Sequence, residues 1–166
     1  FFQNAKAYNT SVAKERNLIF EATKGLLSGE QTLFIHANEE KQMIDAIELA
    51  LSNGITKIAI VGGYEAYKIG SYLKEKHIGV LLKRVHGMPE NDDDDIDLPF
   101  KLAKLLTDQG VLVGLENSGA HERMETRNLP FLAGTCVAYG LDKEKALQLI
   151  TSNTATILGI DIFCGT

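Results

Sequence analysis

The chain has 166 residues, 45% of them hydrophobic, a formal charge of −5 and a pI near 5.4. That is about one domain of chain, with enough apolar surface for a sizeable core, and its acidity argues against the clustered Lys and Arg of a nucleic-acid surface. No run of about 18 uncharged apolar residues exists to form a membrane-spanning helix, and Cys136 and Cys164 are too few for a disulfide framework.

In chain order, the sequence opens on Phe1-Phe2 with no Met and no signal-peptide pattern, and it stops at Phe163-Cys164-Gly165-Thr166; both ends are expected to be cut from something longer. A helix is predicted over about 12–26. The branched and aromatic run Thr32-Leu33-Phe34-Ile35 then reads as a buried strand, closed by His36 and Ala37. Asn38 is placed to cap the helix that follows, with Glu39 and Glu40 in its first turn. Ile44, Ile47 and Leu51 recur in it at helical spacing, and Asn53-Gly54 ends it. A second strand, Ile58 to Val61, runs into Gly62-Gly63 and a helix from about Tyr64 to Lys76. The third strand, Val80 to Leu82, precedes a long polar loop and a helix over Leu98 to Asp108. Val111 to Leu115 is the fourth strand, with helices predicted at about 129–139 and 143–150.

Four continuously apolar strands, each followed by a helix, predict a parallel α/β sheet covered on both faces. The units share no repeat and no linker divides them, so residues 1–166 are expected to form one partial domain. Two architectures fit: half of an eight-unit barrel or a small open doubly wound sheet.

Ligands bind at the C-terminal ends of the strands in either architecture. His36 stands at the first such end as a candidate metal ligand or acid/base, against the plainer reading of a satisfied core histidine. Gly62 and Gly63 precede a helix and could bring backbone amides to an anion, but they lack a dinucleotide or P-loop frame, so a tight turn is the default. His86, beyond the third strand, is a candidate substrate contact or a loop cap. Glu116 is a candidate general base or a hydrogen-bonding cap; Ser118 has no nucleophile-elbow frame. Asp92 to Asp95, after Glu90 and Asn91, form an acidic run expected to be solvated, with a loose cation site as the sharper alternative.

The closing segment carries a resemblance. Gly140-Leu141-Asp142-Lys143-Glu144-Lys145-Ala146-Leu147, then Ile150-Thr151-Ser152-Asn153-Thr154-Ala155, then Ile157-Leu158-Gly159-Ile160, resembles the end of metal-dependent amidohydrolases. That pattern is a glycine-leucine turn, a helix ending in T-x-N-x-A, and a leucine-glycine pair. His36-Ala37 resembles the family's strand-five metal histidine, and the nearest likeness is to imidazolonepropionase-like members. The resemblance spans about 32–160 and implies the C-terminal half of a (βα)8 TIM-type barrel, strands five to eight. It further implies hydrolysis of C–N bonds, cyclic amides foremost, by water on a divalent metal, zinc first. It makes His36 the retained metal or substrate ligand, gives Ser118 or Glu116 the strand-eight proton-handling role, and makes His86 a substrate contact, while Gly62 and Gly63 are substrate-binding candidates from their place at a strand end.

The pattern departs from the family at several points. The strand-six histidine position falls at about Gly62, and the strand-eight aspartate position at about Ser118. The strand-one H-x-H pair and the strand-four ligand are absent. The isolated chain is therefore expected to be inactive, with a small-molecule substrate and either the missing barrel half or a second copy of the chain as partner. The alternative is a metal-free or stand-alone α/β module that binds an anion or small molecule without catalysis.

Overall fold

The computed structural model describes residues 1–11, 15–83, 85–117, 119 and 122–164. Three short helices, α1 (Phe2–Thr10), α2 (Leu18–Ala22) and α3 (Lys24–Ser28), come first. Four strands, β1 (Leu33–Ala37), β2 (Ile58–Gly62), β3 (Gly79–Leu82) and β4 (Val113–Leu115), then form one parallel sheet in the order β1-β2-β3-β4. Between them run α4 (Glu40–Ser52), a 3-10 turn (Ala66–Ile69) leading into α5 (Gly70–Glu75), and α6 (Leu98–Asp108). After β4 come a 3-10 segment (Glu122–Asn128), α7 (Leu129–Ala138), α8 (Lys143–Leu149) and α9 (Ser152–Leu158).

Strand alternation divides the sheet into two unlike faces. Ile58, Ile60, Val80, Leu82, Val113 and Leu115 are buried in the main core with Met43 and Ile47 of α4 and Leu102 and Leu106 of α6. A smaller cluster, Ala59, Val61, Leu81 and Ile157, occupies the opposite face. The expectation of helices over both faces is thus corrected: the helical layer lies on one side, and among the described residues α9 brings cover to the other. On that second face Phe34 and His36 of β1 are exposed.

α9 sits close to the sheet because glycine makes room for it. A Cβ on Gly114 would lie 2.5 Å from Thr154 Oγ1, and one on Gly79 would lie 2.7 Å from Ile157 Cγ1. Asn153 Nδ2 donates to Val113 O at 2.9 Å, tying the helix to β4. The T-x-N-x-A run therefore starts a helix of its own, contrary to its reading as the end of the preceding one. Thr151 Oγ1 donates to Leu147 O at 2.8 Å and Thr154 Oγ1 to Leu149 O at 2.6 Å, which holds α9 against the end of α8.

The single N-terminal helix expected over 12–26 is also corrected, since α1, α2 and α3 are separate; residues 12–14 lie outside the described residues. The Asn17 side chain accepts from the amides of Ile19 and Phe20, so a new helix starts there. β4 begins at Val113, because the Val111 amide donates back to Leu106 O and closes α6.

Candidate functional site

His36 is the last-but-one residue of β1. Its neighbours in register across the sheet are Val61, Leu81 and Gly114. Ile35 and Ala37 pack towards the helices, so alternation turns His36 to the other face, where it is exposed. The imidazole therefore lies outside the helical core, at the C-terminal end of the sheet's inner face.

Asn38 does not cap α4, which corrects its expected role. Glu39 occupies the cap position without a side-chain bond, and the orphan amide of Glu40 donates to Glu65 Oε2 at 2.8 Å. A carboxylate from the next loop thus caps this helix across space. Glu65 also takes Lys68 Nζ at 2.6 Å, and these two bonds, the lysine's first, hold its carboxyl below the usual range. The Asn38 side chain turns elsewhere, and its Nδ2 donates to Glu90 Oε1 at 3.2 Å.

Gly62 and Gly63 adopt φ of 102° and 67°, values that favour glycine. Gly63 N donates to Ala37 O at 2.8 Å and Glu65 N to Asn38 O at 2.9 Å. These amides lace the β2 turn to the β1 tip, so they do not cradle an anion. Glu65 and Glu90, both lining the adjoining groove, add negative charge. The geometry is that of the tight turn, and it leaves the anion-binding alternative without donors at Gly63 and Glu65.

The loop after β3 is built around a buried tyrosine that sequence reasoning missed. Tyr64 OH donates to Asp94 Oδ2 at 2.7 Å and accepts the Glu90 amide at 3.1 Å. Burial, then the bond to Asp94, pushes the phenol up to about 12. Asp94 Oδ2 also accepts both nitrogens of Asn91, at 3.1 Å and 3.0 Å, and its carboxyl is held below its usual range, by the tyrosine above all. Lost hydration raises the Glu90 carboxyl, with Lys83 opposing. The acidic run is thus partly structural. Asp94 anchors the loop, whereas Asp92, Asp93 and Asp95 are exposed and fit the solvated reading, Asp95 in a surface pair with Lys101 at 2.6 Å.

His86 is drawn to α7. Its Nε2 lies 2.6 Å from Thr135 Oγ1, and Thr135 spends its own proton on Phe131 O at 3.0 Å. The two contacts tie the imidazole to the first turns of α7. Phe100 lies 6.1 Å from the His86 ring and stacks on Tyr139 at 5.0 Å. Two small cavities flank His86. One, of about 160 Å³, is lined by Asn117, Glu125, Asn128, Phe131 and Leu132; the other, of about 190 Å³, reaches Asn38, Gly62, Lys83 and Glu90.

Glu116 is half-buried just past β4. Its amide donates to Leu82 O at 2.9 Å, so it continues the ladder and alternation puts it on the face of Gly114 and His36. Ser118 lies outside the described residues. Among the described residues no group of three or more His, Cys, Asp or Glu is arranged to hold a metal ion. The strand ends instead gather unlike groups: an imidazole (His36), an amide (Asn38), an ammonium (Lys83) and a carboxylate (Glu116).

No family model matches the chain. Over 120 residues it is 35% identical to amidohydrolase tasK of Hapsidospora irregularis, covering 66% of this chain and 12% of that protein. The fold matches the crystal structure of an amidohydrolase from Thermotoga maritima MSB8 with a TM-score of 0.87 and 26% identity, over 99% of this chain and 44% of that one. These similarities support an amidohydrolase family. The chain thus spans less than half the length of either relative. Four parallel βα units matched to part of an amidohydrolase are the C-terminal half of a TIM-type barrel, and the doubly wound alternative is set aside.

Proposed function

We propose that this chain is the half of an amidohydrolase barrel that carries His36, Glu116 and His86 at or just past its strand ends, and that the complete enzyme hydrolyses a carbon–nitrogen bond of a small molecule, a cyclic amide as in imidazolonepropionase-like members. The observation that carries this reading is the placement of His36. It is exposed on the inner face, at the C-terminal end of a strand, in a fold matching an amidohydrolase at a TM-score of 0.87.

The family's divalent metal, zinc first, does not fit the described residues of this chain alone. His36 is one imidazole beside Val61, Leu81 and Gly114, and a catalytic zinc ordinarily takes three protein ligands. Further donors would have to come from the other half. The chemistry assigned to this chain is correspondingly limited. The Glu116 carboxylate is suited to accept a proton from attacking water, with Ser118 as the other candidate at that strand end. His86, locked by Thr135, presents a fixed hydrogen-bonding edge to substrate, and the Gly62-Gly63 turn shapes the floor beside it.

The test is hydrolysis by the complete natural polypeptide of a panel of cyclic imides, lactams and imidazolones, followed by ring-opening absorbance. Wild type should turn over at least one compound, and His36→Ala should lower kcat/KM by well over tenfold. Equal turnover in the variant would remove His36 from the site.

A further inference from the structure

We infer that Asn38 has taken the space a metal ligand on β2 would need, and that it serves there as a positioning residue clasping the loop after β3 to the strand ends. This rests on the barrel-half reading. A Cβ on Gly62 would lie 2.5 Å from Asn38 Oδ1 and 3.2 Å from Ala37 O. Position 62 also has φ of 102°, which L side chains rarely adopt. The β2 end therefore accepts no side chain without ejecting Asn38, and a histidine could not be restored there by simple substitution.

Asn38 is held in that space from both ends. Its carbonyl accepts the Glu65 amide at 2.9 Å, and its side-chain Nδ2 donates to Glu90 Oε1 at 3.2 Å. Glu90 is in turn bonded through its amide to Tyr64 OH, and Tyr64 to Asp94. One continuous chain of bonds thus runs from the β1 end, over the bare glycine, to the loop carrying Glu90, Asn91 and Asp94. The donor set agrees with this. At the ends of β1 to β3 the described strand-end side chains are one imidazole, one amide and one ammonium, and the Glu90 carboxylate of the loop above is engaged by Asn38. Any metal in the complete protein would receive His36 alone from the described residues of these three strand ends.

The test uses the complete natural polypeptide, equilibrated with zinc and dialysed, with bound zinc measured by mass spectrometry and loop protection by hydrogen exchange. Zinc should not exceed one ion per chain. His36→Ala should weaken its binding at least tenfold, while Asn38→Ala leaves it unchanged. Asn38→Ala and Gly62→Ala should each speed amide exchange across residues 88–95, and His36→Ala should not. Two zinc ions per chain, or zinc loss in Asn38→Ala, would overturn the inference, as would unchanged exchange in both loop variants. An absence of zinc with faster exchange upholds it while defeating the metal part of the proposed function, so the two readings fail separately.

Discussion

Gly114 shows how one missing side chain decides a contact. It is the inner-face member of β4, in register with Leu81 and, further across, His36. Its bare Cα lets Thr154 and Leu149 of the C-terminal helices approach the sheet. Adding a methyl would set it 2.5 Å from Thr154 Oγ1 and 2.9 Å from Leu81 Cδ2. Gly114→Ala should therefore destabilise the fold by about 1–3 kcal/mol, read as a lower denaturation midpoint; an unchanged midpoint would mean that α9 yields freely. In the sequence this glycine is only part of an apolar strand, because the atom it makes room for is some forty residues away. His36 is the reverse case. Its place beside Ala37 at the end of an apolar run was plain, and the burial of Ile35 and Ala37 on the helical side then gave its face.

At the scale of elements, two attachments made across space matter more than local propensity. α9 is short, and an isolated helix of that length is not stable in water. Its position depends on Asn153 and on Ile157 buried against Ala59, Val61 and Leu81. Asn153→Ala should cost about 1–2 kcal/mol by leaving the Val113 carbonyl short of a donor, measured by urea denaturation, with Asn153→Asp no better because the lost donor is the amide nitrogen. α4 is the second case, capped by Glu65 rather than by a residue of its own. The Glu65 carboxyl is lowered by Lys68 first and by the Glu40 amide next. A lowered carboxylate contributes stability that is complete above its ordinary range and is lost as pH falls through the lowered value. Thermal midpoints should therefore drop on acidification below about pH 4.3, and less steeply in Glu65→Gln than in wild type. Parallel profiles for the two proteins would deny Glu65 this role. Asn38, the cap expected from sequence, lost the position because the turn after β2 delivered a charged acceptor to the same amide.

At the scale of the whole chain, among the described residues the sheet has two edges without a strand partner, β1 and β4, and an inner face on which Phe34 and His36 are exposed. In a closed barrel neither edge exists. The described chain taken alone should therefore self-associate or bind the remainder of an amidohydrolase barrel. Sedimentation of the isolated 166 residues should show species larger than the 18.2 kDa monomer, and adding the other half should convert them to a defined complex. A stable, well-behaved monomer would mean that the edges are protected by some other device.

Four strands, their parallel order with intervening helices, and the helix over Leu98 to Asp108 were all legible in the amino-acid order, because continuous apolar runs and helical periodicity are local signals of burial. So were the amidohydrolase likeness, through the closing segment, and the position of His36 at a strand end. Packing in three dimensions was needed to show that the helices cover one face, that α9 fills part of the other, and that Asn38 lies over Gly62. Packing also joined Tyr64 to Asp94 and Glu40 to Glu65. Those pairings lie twenty-five to thirty residues apart, and neither composition nor spacing records which distant donor will meet which acceptor. That is settled when the strands pair in register and carry their loops to the same end of the sheet.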